Sequence, residues 1–586
     1  MCGIIVKTGK NNPGTINAAL SSLSKRGPDD SGIEIYSNCV LGHTRLSIVD
    51  LSQGHQPMVD SSKPLAITFN GEIYNYKQLR NDLKSKGHIF KTQSDTEVIL
   101  KSYIEYGDEC VKYFDGMFSF AIWDEENQNL FFARDRFGKK PLYYSYNESR
   151  ELCIASEIKA LVELGIKPKM DPSGIDAYLT LMYVPPWRTI YKNIQTLLPS
   201  HTGNYRLGEM KINQYWKLEK KPITNISFDE SKEEVKRLLL NSVESRMIAD
   251  VEIGAFLSGG VDSTLITAYA QKFTKNKIKT FSLGYGDHIN ELPFADMAAK
   301  TIGTEHYAMQ ANSALTDEIE SFLTYFDEPH GDSADLAQHL LSRFTASKVK
   351  VALAGDGGDE LFMGYGWYWA YWNRPKIVTL KNKFFSDQFS EHIKSVTIFP
   401  ANFRKTLLNK GGGSFNSITT DDFEKNGIID GIEQINDYDI EAYLPGQLLT
   451  KVDRTSMMHS LEVRCPLLDH HLAEFVYNLP TEYKMNKNTG KFVLKDLLSE
   501  IMPRDFVDRK KQGFGAPVRM WVQEKNFQEY IKSVFFNESA TLYNYLNKDV
   551  VKTLVTNTLN GGKQKSYYQV WVLLCLAVWM EKHNYE

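Results

Sequence analysis

The sequence predicts a two-part chain of mixed α/β and α+β class: layered sheets with covering helices, then a doubly wound parallel α/β domain with a helical C-terminal part. Short β-like runs dominate the first ~200 residues. Strands and helices alternate over the next ~130, and helical spacing prevails after Gly366. The predicted boundaries are 1–205 for the first domain, 206–228 for a linker and 229–586 for the second domain.

The first part is expected to contain short strands and two covering helices. Gly, Asn and Asp bound the β-like runs, and these residues favour turns. Helical spacing appears at Tyr76–Leu83 and Thr96–Tyr106. The predicted strands are Cys2–Lys7, Val40–Ser47, Leu65–Phe69, Phe118–Trp123 and Leu130–Arg134.

The second part is predicted to begin after a polar stretch, Glu219–Asn225, which follows a strand-like run at Asn213–Leu218. An amphipathic helix is expected at Ser231–Met247. The apolar run Val570–Met580 is about half of the ~20 residues that span a bilayer, so it predicts a buried helix. The predicted parallel strands are Ile253–Leu257, Ile278–Tyr285, Glu305–Met309 and Val349–Ala354.

Composition excludes several classes of function. The chain has 586 residues, 68 of them basic and 72 acidic, so its formal charge is −4. This balance predicts no general attraction for nucleic acid or for an anionic membrane. The six cysteines form no C-x-x-C pair, which argues against a zinc ribbon or a thioredoxin-like site. The start does not look like a signal peptide, and we therefore expect a cytoplasmic protein with reduced thiols.

Cys2 is a candidate nucleophile because it directly follows Met1. Removal of Met1, which a small second residue permits, would place a free α-amine beside the thiol. The reference pKa is ~8 for an α-amine and ~8.5 for a thiol, so this amine can take the thiol proton near neutral pH. Taken alone, an ordinary second residue is the simpler interpretation.

The motifs around Cys2 supply the other groups that glutamine hydrolysis requires. Arg45 suits a carboxylate, and the Asn70-Gly71 turn offers amide groups for an oxyanion. Asp95, in an N-cap pattern, suits an ammonium group. Arg26-Gly27-Pro28-Asp29 is a charged turn. Each motif alone is more often structural.

Two glycine-rich loops follow predicted parallel strands and indicate a phosphate site. Ser258–Ser263 (SGGVDS) precedes a helix, whose N-terminal N–H groups suit an anion. Asp262 would repel bare phosphate, so Mg²⁺ is implied. Ala354–Phe362 (AGDGGDELF) follows another strand of the same predicted sheet, so Asp262 and Asp359 are expected to share Mg²⁺ with pyrophosphate.

The two groups of motifs resemble two known enzyme modules. The Cys2 group resembles the class II glutaminase domain of N-terminal-nucleophile (Ntn) amidotransferases, which implies an αββα sandwich. The S-G-G-x-D-S loop resembles that of N-type ATP pyrophosphatases. Nearly the whole chain is similar to glutamine-dependent asparagine synthetases. Further matching segments are Lys451–Arg454, Ser460–Arg464, Gly490–Phe492 and Arg509–Phe514.

The resemblance implies a role for particular residues. Cys2 would attack the glutamine amide, with Asn70 and Gly71 as the oxyanion hole. Asp356 is the implied base, and Lys491 would stabilise charge on the phosphate or the intermediate. The implied glutamine-binding residues are Arg45, Leu46, Ser47, Ile48, Val49, Asn70, Gly71, Glu72 and Asp95; the implied ATP-binding residues are Leu257, Ser258, Gly259, Gly260, Asp262, Ser263, Leu283, Ala354 and Gly355; the implied Mg²⁺ ligands are Asp262 and Asp359.

The implied partners are small molecules: glutamine, ATP and an acceptor carboxylate, with aspartate favoured. The acceptor would form an acyl-adenylate, and ammonia from glutamine would displace AMP. A homodimer is compatible with the resemblance, and neither nucleic acid nor a membrane is implied.

Two positions depart from the family pattern. Asp356 stands where other branches carry Glu, which moves the carboxylate by ~1.5 Å. Leu197–His201 lacks the usual Pro-Gly-His turn. An acceptor such as a sugar uronic acid or a biosynthetic intermediate therefore stays an alternative. The intact motifs argue against lactam formation without ammonia and against a non-enzymatic scaffold.

Overall fold

The fold is given by a computed structural model of the 586-residue chain. The structure describes residues 1–9, 12–60, 62–285, 291–311, 316–373, 388–409, 431–486, 489–509, 517–583 and 585. The predicted mixed α/β class is confirmed.

Two six-stranded antiparallel sheets form the N-terminal part, in the orders β10-β8-β9-β1-β3-β2 and β12-β11-β7-β6-β5-β4. All five predicted strands of this part are present, with ends that differ by a few residues. The strands are β1 Gly3–Thr8, β2 Asp30–Ile35, β3 Cys39–Arg45, β4 Met58–Val59, β5 Leu65–Ile73, β6 Gly116–Asp124, β7 Asn129–Arg134, β8 Tyr143–Tyr146, β9 Leu152–Ala155, β10 Gln195–Thr196, β11 His201–Arg206 and β12 Glu209–Gln214.

The two sheets pack face to face and each outer face is covered by helices, which makes the αββα sandwich that the resemblance implied. Ile4 and Val6 of β1 meet Trp123 and Phe132 of the other sheet in the central core. This follows from the alternation of side chains along each strand, which buries one face of each sheet against its partner. The covering helices are Pro13–Ser22, Tyr76–Ser85, Asp95–Tyr106, the 3₁₀ turn Gly107–Tyr113 and Ile158–Glu163. The next helix, Pro172–Leu181, instead contacts Arg404 and Val572 of the second part through Asp176 and Tyr178.

The last hairpin of this sandwich, β11–β12, ends at Gln214. Its second strand lies within the predicted linker, and the strand-like run at Asn213–Leu218 contributes only its first two residues to it. Ser200, at the start of the hairpin, has φ 61°, the left-handed conformation that glycine adopts most easily. The turn therefore keeps a glycine-like backbone without its glycine.

A five-stranded parallel sheet, in the order β15-β14-β13-β16-β17, organises the second part. The four predicted strands are confirmed, whereas β17, at one edge, was not predicted as a strand. The helix after the linker starts earlier than its periodicity indicated because Ser227 and Glu230 form a capping box. The strands are β13 Ile253–Phe256, β14 Lys279–Tyr285, β15 Glu305–Ala311, β16 Val351–Leu353 and β17 Glu462–Arg464.

Helices cover both faces of the parallel sheet and form the C-terminal part. The buried helix predicted around Val570–Met580 is confirmed, and all eleven residues of that run are buried. Among the described residues, no helix has the length and apolar character that crossing a membrane requires. The helices are Phe228–Arg246, Val261–Lys272, Leu292–Ile302, Thr316–Leu323, Ala334–Ala346, Gly358–Leu361, Gly366–Trp372, Gln388–Val396, Ala401–Leu407, Gly431–Tyr438, Asp439–Leu448 (π), Leu449–Met457, Pro466–Leu468 (3₁₀), His470–Tyr477, Thr481–Lys484, Phe492–Leu498, Arg504–Val507, Val518–Gln523, Lys525–Phe535, Thr541–Asn544 (3₁₀), Lys548–Leu559 and Gln564–Lys582.

Candidate active sites

The first candidate site surrounds Cys2, immediately before β1. The Cys2 backbone N–H donates to Asn70 Oδ1 on β5 at 2.9 Å. The buried Asn70 Nδ2 meets no acceptor within the described part of the chain, so this donor is available to an oxyanion. A Cβ on Gly71 would lie 2.0 Å from the Met117 carbonyl oxygen, so only glycine fits there.

Opposing influences act on the Cys2 thiol. Burial raises its pKa, whereas the N-terminal ammonium, the Leu46 N–H and Arg45 act to lower it. The Arg45 guanidinium donates to the carbonyl oxygens of Asp50 at 2.6 Å and Val49 at 3.1 Å. The loop after β3 is therefore wrapped around the arginine that was predicted to bind the glutamine carboxylate.

The same loop also contacts the second domain. Leu46 and Ile48 pack against Val351 of β16. The Ser47 N–H donates to Asp29 Oδ2 at 2.8 Å, and the same oxygen pairs with Lys350 at 2.8 Å. The charged turn that the sequence singled out thus holds the predicted glutamine-binding loop at the interface.

Two buried carboxyl groups, Glu72 and Asp95, lie in this site. Asp95 Oδ2 accepts the Ile73 N–H at 3.0 Å, yet burial raises the pKa of Asp95 to about 6. Burial and Asp95 raise the pKa of Glu72 well above its usual range, although Arg464 acts in the opposite direction. Two carboxyl groups in one pocket favour a bound ammonium group, which would relieve their repulsion.

We expect the kcat/KM for glutamine to fall about tenfold per pH unit below pH 6, because protonated Asp95 no longer attracts an ammonium group. The raised pKa also means that the folded state binds this proton more tightly, so the contribution of Asp95 to stability decreases as pH rises. Initial rates of glutamine hydrolysis from pH 5 to 8 measure the profile. Asp95→Asn should remove this limb, whereas the exposed Asp82→Asn should keep it; an unchanged limb in Asp95→Asn would contradict the assignment.

Strand β17 brings charged residues of the second domain into the first site. Met1 is 2% exposed, and its ammonium lies 3.1 Å from Glu462 Oε2. Arg464 Nε donates to Glu462 Oε1 at 2.7 Å, and Arg464 Nη2 lies 3.4 Å from Glu72 Oε1. The Arg464 carbonyl oxygen accepts the Ala354 N–H at 2.9 Å, beside the acidic loop. One arginine therefore contacts both candidate sites.

Arg26 makes a second link between the domains and was not assigned a role from the sequence. Its Nε donates to the Cys2 carbonyl oxygen at 3.0 Å. Its Nη1 and Nη2 donate to the two Asp453 carboxylate oxygens at 2.7 and 3.0 Å, and Nη1 also donates to Glu157 at 2.8 Å. Arg26 therefore joins the backbone of Cys2 to Asp453 of the second domain. Removing one partner of such a buried pair would leave an uncompensated charge.

The second candidate site begins with the loop that joins β13 to the helix Val261–Lys272. Ser258 Oγ lies 3.1 Å from Ser263 Oγ and accepts the Gly260 N–H at 3.2 Å. Gly259 has φ 73°, and a Cβ there would lie 2.6 Å from the Phe294 backbone. Arg509 donates to the Gly259 carbonyl oxygen at 2.9 Å. The loop therefore closes around a helix N-terminus, an arrangement that suits phosphate.

The acidic loop after β16 packs directly against this first loop. A Cβ on Gly355 would lie 2.9 Å from Asp262 Cβ, and one on Gly358 would lie 2.6 Å from Asp262 Cγ. Lys491 Nζ contacts both Asp262 and Asp359, the latter at 2.9 Å. Two carboxylates thus converge on the Lys491 ammonium group. Their oxygen atoms are also donors that fit Mg²⁺.

Asp356 is influenced by the charges of Lys451 and of the two carboxylates at Lys491. Burial raises the pKa of Asp356, Lys451 lowers it, and the charges of Asp262 and Asp359 raise it further. Lys451 also pairs with Asp332 Oδ2 at 3.2 Å. The predicted nucleotide-site residues Leu257, Leu283 and Ala354 are buried beside these loops. Of the further matching motifs, residues 510–514 lie outside the described residues.

A cavity lies at the interface between the two domains. Its apolar lining is Met1, Met117, Leu449, Val452 and Val463. Lys139, Lys140, Asp453, Ser456 and Cys465 complete its wall. The cavity is therefore lined by residues of both the sandwich and the second domain, beside Met1.

Fold and site together define a two-domain α/β protein that places a sandwich with an N-terminal cysteine site against a parallel sheet with paired glycine-rich acidic loops. Family models described as "Asparagine synthase" and "Glutamine amidotransferase domain" match residues 234–581 and 1–216. The chain belongs to the asparagine synthase family, with a glutamine amidotransferase domain at its N-terminus.

Similar curated proteins match over most of their length. "Asparagine synthetase [glutamine-hydrolyzing] 1" of Bacillus subtilis is 30% identical, with 94% of this chain and 91% of that protein covered. "Asparagine synthetase [glutamine-hydrolyzing] 3" of the same organism is 32% identical over 92% and 90% of the two chains. A "Putative asparagine synthetase [glutamine-hydrolyzing]" of Mycobacterium tuberculosis is 29% identical over 99% and 97%.

Proposed function

We propose that this chain is a glutamine-hydrolysing asparagine synthetase, a ligase that uses ATP and ammonia from glutamine to amidate aspartate. The observation that carries the proposal is Arg464, which contacts Glu72 of the cysteine site and hydrogen-bonds Ala354 beside the acidic loop. A direct link between two chemically different sites suits an enzyme that passes a product from one to the other. The proposed halves are a glutaminase at 1–205 and a synthetase at 229–586.

In the proposed first reaction, Cys2 attacks the glutamine side-chain amide carbon, the C–N bond breaks, and ammonia leaves as the thioester forms. Water then hydrolyses the thioester, which releases glutamate and restores the thiol. Arg45 would hold the glutamine carboxylate, and Glu72 and Asp95 its ammonium group. Asn70 Nδ2 and the Gly71 N–H would stabilise the oxyanion. Removal of Met1 would free the Cys2 α-amine to take the thiol proton.

In the proposed second reaction, the acceptor carboxylate attacks the α-phosphate of ATP and releases pyrophosphate. Ammonia then attacks the acyl-adenylate and displaces AMP, and Asp356 takes the excess proton. Bound Mg²⁺, held by Asp262 and Asp359, would neutralise phosphate charge. Lys491 would stabilise negative charge on the phosphate or on the intermediate.

The state of the cysteines bears on the cellular location of the proposed enzyme. All six cysteines are buried and free, which supports a reducing, cytoplasmic location.

Ammonia would need a path sheltered from solvent, because in bulk water near pH 7 ammonia is captured as non-nucleophilic ammonium. The interface cavity would form part of that path. The partners remain small molecules, and a homodimer stays a prediction.

The acceptor is tested by pyrophosphate release with ATP, Mg²⁺ and ammonium against a panel of aspartate and several uronates. We expect release with aspartate, followed by formation of asparagine. Asp356 keeps another carboxylate as the alternative, because its shorter side chain requires either a rebuilt pocket or a different acceptor. Release with a uronate and none with aspartate would replace the proposed acceptor and keep the amidotransferase chemistry.

A further inference from the structure

A cluster of three metal-ligating side chains lies at the domain interface, outside both candidate sites. Asp115 belongs to the sandwich, where it immediately precedes β6. His470 and His471 begin the helix His470–Tyr477 of the second domain. The ligand atoms of all three side chains lie within 4.8 Å of one another.

The distances within this cluster suit a metal better than hydrogen bonds. His470 Nε2 lies 3.6 Å from Asp115 Oδ1, and His471 Nε2 lies 3.5 Å from Asp115 Oδ2. Both exceed the usual length of a hydrogen bond between nitrogen and oxygen. Ligands bound tetrahedrally to zinc at 2.0–2.2 Å are separated by about 3.3–3.6 Å. Each imidazole nitrogen lies at this distance from one oxygen of the Asp115 carboxylate, a different oxygen for each histidine.

The charges and exposure of the cluster also suit a cation. The His470 side chain is 11% exposed and that of Asp115 is 28% exposed, so both ligands are largely shielded from solvent. His471 is 56% exposed, which leaves a route from solvent. Asp469, the N-cap residue of the helix, and Glu474 within it place two carboxylates near the histidines, and Arg136 places one positive charge there.

Both protein segments are anchored to the functional loops. The Asp115 carbonyl oxygen accepts the Tyr74 N–H at 2.7 Å, just beyond the strand segment that carries Asn70 and Gly71. On the other side, Leu468 precedes the histidines and packs against Gly357 of the acidic loop. An ion at the cluster would therefore join the backbone beside one site to the backbone beside the other.

We propose that Asp115, His470 and His471 form a binding site for one divalent zinc-type ion, which clamps the glutaminase domain to the synthetase domain. Two imidazole nitrogens, a carboxylate oxygen and a water molecule complete a tetrahedral shell. The site needs neither ATP nor glutamine, so it stands independently of the proposed reaction.

The test uses the full chain, stripped with EDTA and then titrated with Zn²⁺ or Co²⁺. We expect one tightly bound ion per chain, a visible Co²⁺ absorption band of the tetrahedral type, and a rise of about 3 °C in the unfolding midpoint at saturating Zn²⁺. Mg²⁺ should give no comparable rise, since it prefers six oxygen ligands.

His471→Ala and Asp115→Asn should each lose the absorption band and the thermal rise. His471 is exposed, so its variant is expected to fold. His88→Ala is the matched control, since His88 lies 2.9 Å from Glu105 in an ordinary pair, and it should keep both responses. Absence of binding by the unmodified chain, or equal binding by His471→Ala, would overturn the proposal.

Discussion

Cys2→Ala is expected to lower glutamine-driven amidation by at least about a thousandfold, because the thioester cannot form without the thiol. Amidation driven by added ammonium should persist, since ammonium supplies the nitrogen directly to the second site. Alanine, like cysteine, is a small residue at position 2, so we expect the removal of Met1 to be unchanged. Asparagine formation with glutamine and with ammonium, measured on one preparation, separates the two effects.

A buried cysteine away from the site controls for the loss of a thiol. Cys39→Ala, on β3, removes a fully buried thiol and should retain glutamine-driven synthesis, although it loses some stability through the small cavity. Equal glutamine-driven rates in Cys2→Ala and the unmodified chain would show that another group attacks glutamine. Loss of ammonium-driven synthesis in Cys2→Ala would instead indicate that Cys2 supports the interface.

The local features of the fold were predictable because each depends on neighbouring residues. A buried strand, a glycine-rich turn and a helix form one continuous unit, so Ile253–Leu257 and the loop after it could be located from periodicity and turn residues. The second acidic loop could be placed beside the first because parallel strands end at the same edge of a sheet. The structure brings Asp262 and Asp359 to the same lysine, as this reasoning requires.

The interface was not predictable in the same way, because its partners are far apart in the chain. Arg26 and Asp453 are separated by 427 positions, and no spacing rule connects them. Strand β17 has three residues and lies at a sheet edge, too short for a periodic pattern. The motifs R-G-P-D, K-V-D-R and S-L-E-V-R indicated that these segments have a function. Which charged residues pair with one another is seen only in the folded chain.

Glu72 and Asp95 were predicted as ligands but not as perturbed acids, because their surroundings also come from distant parts of the chain. An N-cap pattern and a turn identify carboxylates near Cys2. Their raised pKa values depend on burial beneath the second domain and on the charge of Glu462, which belongs to that domain. The sequence thus predicts which groups are present, whereas domain docking sets their protonation.

Asp262→Asn is expected to have the converse effect of Cys2→Ala: pyrophosphate release should fall at least about a hundredfold while glutamine hydrolysis stays within about threefold. The Asp262 carboxylate contacts Lys491 and is a proposed ligand of Mg²⁺. Asparagine keeps the shape of this side chain without its charge. Lys491 retains Asp359 at 2.9 Å, so the fold should be preserved. Both activities and the unfolding midpoint are measured on each variant.

Glu252→Gln is the matched control, because this exposed carboxylate pairs with Lys279 near the opposite, amino-terminal edge of the sheet. It should leave pyrophosphate release unchanged. Undiminished release in Asp262→Asn would exclude Asp262 from the phosphate site. A parallel fall in glutamine hydrolysis would indicate that the charge of the acidic loops reaches Cys2 through Ala354, Arg464 and Glu72, so that the two sites are energetically coupled as well as joined in space.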